Sequence, residues 1–216
     1  MKLAHGWWFP DHEKHLLVWM ESPKNRVMLN GRMAYQGKKQ LAVLAHCKNF
    51  RTAIDVGGHI GLWSWNLAHK FEVVEAFEPV AAHRECFAKN TAGLDNVFLH
   101  DCALGDKVGT VSMTTEQGSS GNTYAKPGTD VELTTLDRFA IAMVDLIKID
   151  CEGGEEPVLR GAEQTIHRCR PTIIVEQKRD MATRFGLQPL GAVEFLKGLG
   201  YRVAQEISGD YIMVPR

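Results

Sequence analysis

The stretch Ala53-Ile54-Asp55-Val56-Gly57-Gly58-His59-Ile60-Gly61-Leu62-Trp63-Ser64, AIDVGGHIGLWS, opens as an apolar run and closes as a helix start. Three glycines and one acid stand at the join. A strand that turns through glycines into a helix brings backbone N–H groups to a point where a nucleotide-like ligand can sit. The chain on both sides keeps the same rhythm. Strands are expected at 52–56, 72–77, 96–100, 144–149 and 172–176, and helices at 61–70, 80–90, 155–168 and 191–199. This alternation predicts an α/β fold with a mostly parallel sheet and helices on both faces. The last sixteen residues, YRVAQEISGDYIMVPR, read as an antiparallel hairpin turning at Ser208-Gly209-Asp210. Short strands at 109–113 and 131–133 flank the polar run from Thr114 to Asp130, TTEQGSSGNTYAKPGTD, which reads as a long surface loop.

Ahead of the first core strand lie fifty residues that carry Trp7, Trp8, Phe9 and Trp19, and a helix is expected from Lys38 to Asn49. Residues 1–50 are therefore expected to pack on the core, with 51–216 as the ligand-binding domain. Trp7 and Trp8 suit a lid or acceptor platform, core packing or a homodimer contact. A net charge of −1 gives no global field toward nucleic acid or an anionic membrane. The N-terminus has no long apolar run, so neither a signal peptide nor a membrane span is expected. Cys47, Cys86, Cys102, Cys151 and Cys169 include no C-x-x-C pair, which points to reduced thiols in a cytoplasmic setting rather than a zinc site.

In a sheet of this kind the ligand lies at the carboxyl ends of the strands. Those ends carry Asp55 to Gly61, Glu78, Asp101 to Ala103, Asp150 to Glu152, and Glu176. Any one acid there is also a good helix cap; polar or glycine residues at all five ends argue for a site. A dinucleotide needs G-x-G-x-x-G, whose second glycine lets bare backbone approach the pyrophosphate. His59, or Ile60 in the other register, occupies that place, which disfavours an NAD-type oxidoreductase. S-adenosylmethionine, with adenosine but no diphosphate, fits better. Its amino-acid end would lie along the glycine turn, with Glu78 at the ribose diol, Asp101 at the adenine amino group, and Cys102 and Ala103 along the ring.

AIDVGGHIGLWS, AFEP, DCALGD, LIKIDCEGGEEPVLRGAEQTI and PTIIVEQ together resemble the FkbM family of S-adenosylmethionine-dependent methyltransferases, over about residues 52–177. IKIDCEGGEEPVLRGA, Ile147 to Ala162, is the most specific part. The resemblance implies a class I methyltransferase fold with a seven-stranded Rossmann-like sheet, and O-methylation of hydroxyls on sugars or sugar-containing metabolites. It implies a cofactor set of Asp55, Gly57, Gly58, His59, Gly61, Glu78, Pro79, Asp101, Cys102, Ala103 and Asp150. Gly58-His59 departs from the Ala-Asn usual in the family. A methyltransferase acting on a macromolecule is the alternative, although nucleic acid is not expected from the charge.

Methyl transfer from a sulfonium needs alignment of oxygen, carbon and sulfur, and a hydroxyl acceptor gains from a base. Asp150 and Glu152 are the candidates for that base, or for orienting the cofactor ammonium. A divalent metal on Asp150 and Glu176 is a further option. Cys151 reads as packing, and His83, His100 and His167 lack metal-ligand spacing.

Overall fold

The computed structural model describes residues 1–115, 119–178 and 180–216. Its centre is a seven-stranded sheet of β1 (Thr52–Val56), β2 (Val73–Phe77), β3 (Val97–His100), β4 (Leu146–Ile149), β5 (Thr172–Glu176), β6 (Tyr201–Ile207) and β7 (Asp210–Pro215). The spatial order is β6-β7-β5-β4-β1-β2-β3. β3 to β5 all pair in parallel, and β7 pairs antiparallel with both β5 and β6. The order reverses between β1 and β4, so the crevice for a ligand opens above their carboxyl ends.

Among the described residues, seven α-helices complete the frame: α1 (His15–Glu21), α2 (Gly37–Leu44), α3 (Leu62–Ala68), α4 (Ala81–Asn90), α5 (Glu155–Arg160), α6 (Glu163–Cys169) and α7 (Gly191–Gly198). Successive strand residues point to opposite faces, and the core divides accordingly. Ile54, Val56, Ile147, Ile149, Ile173 and Val175 pack with Val158 and Leu159 of α5, Ile166 of α6 and Leu196 of α7. Ala53, Val74, Leu146 and Ile174 pack on the other face with Val43 of α2 and Trp63 and Leu67 of α3.

A third cluster fastens the N-terminal region to α3 and α4. Trp7, Phe9, Leu16 and Met20 bury themselves against Ile60, Leu62, Trp65 and Cys86. Trp7 is a core residue, with its Nε1–H donated to the Met33 carbonyl at 2.8 Å. The region is also more regular than its sequence promises, with strands at Lys2–Ala4, Trp7–Phe9, Met28–Leu29 and Arg32–Met33. Strands of two or three residues leave too little periodicity to read. The expected helix from Lys38 to Asn49 is the shorter α2.

Part of the polar run from Thr114 to Asp130, expected as a long surface loop, is strand, while its residues 116–118 lie outside the described residues. Gly109–Thr115 pairs antiparallel with Thr123–Pro127, at the edge of a four-stranded sheet that also holds Val131–Thr134 and Ala103–Leu104. An edge strand covered on one face has little apolar patterning, so its composition resembles a loop. The expected helix from 155 to 168 is likewise two helices, broken at Gly161, where a side chain would strike the Gly105 carbonyl at 1.9 Å. The closing hairpin turns through Ser208 and Gly209, both with positive φ, as a two-residue connection favours.

Lys148 locks the junction of β1 and β4. It is directly opposite Asp55 in the register and points to the α3 face. Its ammonium sits 2.8 Å from Asp55 Oδ1 and donates to the carbonyls of Val56 and Gly57 at 3.1 and 2.6 Å. Ser64 Oγ of α3 donates to the other Asp55 oxygen at 2.6 Å. Removing one partner of a buried pair leaves an uncompensated charge and costs about 3–5 kcal/mol. Lys148→Met is therefore expected to lower the melting temperature by roughly 10 °C or more. Thermal unfolding followed by circular dichroism checks this; a shift under about 2 °C would contradict the assigned role.

Candidate functional site

Two neighbouring cavities open above the carboxyl ends of β1, β2 and β4. The narrower encloses about 100 Å³ between Gly57, Glu78 and Pro79 on one side and Cys102, Ala103 and Leu104 on another. Met113, Thr123 and Ala125 of the side hairpin roof it, and Phe185 closes one wall. The wider cavity, about 420 Å³, reaches from the glycine turn to α1 and α2. Its wall carries Trp19, Tyr35 and Trp63 together with Asp150, Glu152 and Glu176. Gly57, His59, Gly121, Asp150 and Glu152 line both cavities.

The turn itself is tightly built. Gly57 has φ +73°, and a Cβ there would lie 2.0 Å from the Asp150 carbonyl, so no side chain fits. Gly57 N–H and Gly58 N–H both donate to the Phe77 carbonyl at 3.0 Å. His59 N–H donates to Glu78 Oε2 at 2.8 Å, and Gly61 N–H to the Gly58 carbonyl at 2.8 Å. These amides are engaged within the protein, contrary to the expectation of a turn that offers them to a ligand. A phosphate cradle requires such amides to be free, so the geometry argues against a dinucleotide independently of the His59 side chain.

Glu78, at the end of β2, is buried and also accepts from Val80 N–H at 2.8 Å and His83 Nδ1 at 3.2 Å. Its carboxylate faces the narrow cavity beside Pro79. Cys102 and Ala103 line the same space, whereas Asp101 is exposed and outside the lining. Asp55 sits beneath the turn with Lys148, and Gly61 starts α3; neither lines a cavity. Gly58 lines only the wider one. Cys151 lines the narrow cavity; burial pushes its thiol well above the ordinary value, leaving it an inert packing group.

The carboxylates of Asp150, Glu152 and Glu176 come within 4.8 Å of one another. Glu176 is ion-paired with Lys178. Glu152 Oε2 and Glu176 Oε2 are buried and have no hydrogen-bond partner among the described residues. Burial and the Asp150 charge push Glu152 up to about 8 and Glu176 up to about 9. Burial also opposes the charge on Asp150, but Lys148 and Lys178 outweigh it and hold its carboxyl below the ordinary value. Asp150 is thus the member of the group that loses its proton most readily.

Glu155, which the sequence reading passed over, holds this segment in place. Its Oε1 accepts from Cys151 N–H at 3.1 Å and Gly153 N–H at 2.9 Å, and Gln177 Nε2 donates to Oε2 at 3.3 Å. An acid in the first turn of a helix beside a glycine pair is the signal that was available. Glu152 and His59 are non-glycine residues held at φ +54° and +49°, strain that clusters at functional sites.

Seven strands in this order, with a glycine turn, a buried acid after β2 and an acidic β4 end, define the class I methyltransferase fold. The family profile described as "Methyltransferase FkbM domain" matches residues 55–203. The chain belongs to the FkbM methyltransferase family. It is 26% identical over 189 residues to Methyltransferase 1 of Beauveria bassiana (strain ARSEF 2860), covering 71% of this chain and 73% of that protein. The crystal structure of an FkbM methyltransferase from Methylobacillus flagellatus KT superposes with a TM-score of 0.50 at 16% identity. That overlap covers 76% of this chain but only 43% of the other, so the chain spans less than half of that relative. A Streptococcus mutans methyltransferase structure in complex with SAH has a TM-score of 0.53 at 11% identity, covering 82% of this chain and 94% of that one. The oxidoreductase alternative falls with this membership. No helix among the described residues is long and apolar enough to cross a membrane.

The carboxylate group gives a pH prediction. Glu152 and Glu176 bind protons more tightly folded than unfolded, where a glutamate titrates near about 4.3. Their contribution to stability is complete below that value and is lost as pH rises through about 8 and about 9. In buffer with chelator, the melting temperature is expected to fall between pH 6 and 9. The double variant Glu152→Gln, Glu176→Gln should flatten the slope, and an unchanged slope would contradict the assignment.

Proposed function

We propose that this methyltransferase transfers the methyl group of S-adenosylmethionine to a hydroxyl of a sugar-containing small molecule or glycan. The observation that carries the reading is the wider cavity, which Trp19 and Tyr35 line together with three carboxylates beside the glycine turn. Aromatic faces suit the apolar C–H faces of a sugar ring, and carboxylates suit its hydroxyls. The narrow cavity supplies Glu78 for a ribose diol and an apolar slot of Phe77, Leu104 and Met113 for adenine.

Asp150 lies where the two cavities meet. There it accepts the acceptor hydroxyl's hydrogen bond and helps to draw off its proton as the O–C bond forms and the C–S bond breaks. Glu152, raised in pKa and two residues on, is the second candidate for the proton. Tyr35 stays a neutral phenol, since burial and the charges of Asp150, Glu176 and Glu152 all raise its pKa. It can donate to an acceptor oxygen from across the cavity.

Asp150, Glu152 and Glu176 also fit a divalent cation. Their oxygens are hard ligands, two of them are buried without partners, and a cation would relieve the repulsion that raises Glu152 and Glu176. Bound there, such an ion would supply Lewis acidity to the acceptor oxygen.

Calorimetry tests the cofactor reading. Glu78→Ala removes a charged acceptor, each such bond contributing roughly 1.5–3 kcal/mol, so S-adenosylmethionine affinity should fall more than tenfold. Unaltered affinity would place the ribose elsewhere. Turnover tests the acceptor side with a panel of glycosides, phenols and RNA. Asp150→Asn should lower the rate roughly 10²–10⁴-fold while cofactor affinity changes little. A near-normal rate would transfer the role to Glu152, and chelator sensitivity of the parent separates a metal route from a direct base.

A further inference from the structure

His59 is gripped from a region outside the matched family segment. Glu13, fully buried ahead of α1, uses Oε1 to cap that helix by accepting Leu16 N–H at 2.7 Å. Its Oε2 accepts both the backbone N–H of Ser120, at 2.6 Å, and the Ser120 hydroxyl. Ser120 is also fully buried, and its Oγ lies 2.8 Å from His59 Nε2.

These contacts decide where the protons are. Each Glu13 oxygen already accepts a backbone N–H, from Leu16 and from Ser120, so the carboxylate acts as acceptor and the Ser120 O–H points to it. Ser120 Oγ can then only accept from the ring, and His59 must carry its proton on Nε2. Burial first, then the charges of His83 and Lys148, hold the imidazole well below its ordinary value, so the ring is neutral. Its Nδ1 therefore keeps a lone pair, and Nδ1 has no hydrogen-bond partner among the described residues. The ring lines both cavities, packed edge-on against His83 at 4.5 Å between centroids.

The amides of Gly57, Gly58 and His59 are all engaged within the protein and, being donors, offer nothing to the α-ammonium at the amino-acid end of a cofactor. That group needs acceptors beside the turn, and the His59 ring is one that lines both cavities. The α-ammonium is the cationic N–H donor of that end, and a neutral imidazole accepts from it without repelling it or the sulfonium. We propose that Glu13 and Ser120 are positioning residues, which fix His59 as the Nε2–H tautomer so that Nδ1 accepts a hydrogen bond from the α-ammonium of the cofactor. This rests on the cofactor reading above. It makes a segment outside the matched domain, at Glu13, part of cofactor recognition.

A pair of ligands tests it by calorimetry on the full chain. S-adenosylhomocysteine has the amino-acid end; 5′-methylthioadenosine lacks it. Ser120→Ala should weaken the first by roughly tenfold, the size of one hydrogen bond to a charged group, and leave the second within about twofold. His59→Phe should do the same, and Ser120→Thr, which keeps the hydroxyl, should restore the parent ratio. Imidazole nitrogen NMR should show Nε2 protonated and Nδ1 bare in the parent, and a mixture of tautomers in Ser120→Ala. Equal losses for both ligands, or an unaltered ratio in Ser120→Ala, would overturn the proposal. If the parent bound neither ligand, the cofactor reading would fall and this inference with it. If the parent bound both and Glu78→Ala lost both, while the Ser120 ratio stayed fixed, only this inference would fall.

Discussion

One buried ammonium holds the centre of this protein. Lys148 comes from β4, the strand on the far side of the switch point, and its Nζ lies within 3.1 Å of Asp55 Oδ1 and of two carbonyls in β1 and its turn. Burial works against that charge, yet Asp55 and Asp150 outweigh it and raise the pKa above the ordinary lysine value. The carbonyls of Val56 and Gly57 are thereby directed inward, which sets the path of the chain through Gly57 and His59. The same ammonium lowers Asp150, so one cation both shapes the glycine turn and favours ionisation of the adjacent acid. A charge that gives geometry and electrostatics at once leaves little room for substitution by an apolar residue.

The fold was legible because its signals are strong and local. Apolar runs at 52–56, 144–149 and 172–176 need burial on both faces, and only a covered parallel sheet provides it. Ser208-Gly209 between two alternating runs announced the closing hairpin. The strand-end rule brought Gly57, Glu78, Cys102, Ala103 and Asp150 to one cavity. It also carried along Asp101, which is exposed, and Asp55, which serves the turn from below.

What stayed hidden depends on contacts between distant segments. Glu13 and Ser120 are 107 positions apart, and nothing in either neighbourhood marks them as partners. Lys148 looked like an ordinary lysine in an apolar strand; its meaning comes from the register that sets it opposite Asp55. Met113 and Ala125 line the narrow cavity only because a polar segment folds into an edge hairpin, and polar edge strands have no period strong enough to read.

The two halves of the site have separate origins. The narrow cavity is built mainly from strand ends within the matched segment, where geometry follows from sheet topology. The wider one takes His15, Leu16, Trp19, Asn25, Tyr35, Gln36 and Lys39 from the first forty residues. Those residues are anchored to α3 and α4 through Trp7, Phe9, Leu16 and Met20, which bury against Ile60, Leu62, Trp65 and Cys86. A packed apolar base can hold polar and aromatic side chains at fixed positions while the exposed face varies, because exposed positions are only weakly constrained by stability. The wider cavity therefore depends on the N-terminal segment, and the narrow one on the sheet. Glu13 is where the two meet, since its carboxylate caps α1 with one oxygen and reaches the glycine turn through Ser120 with the other.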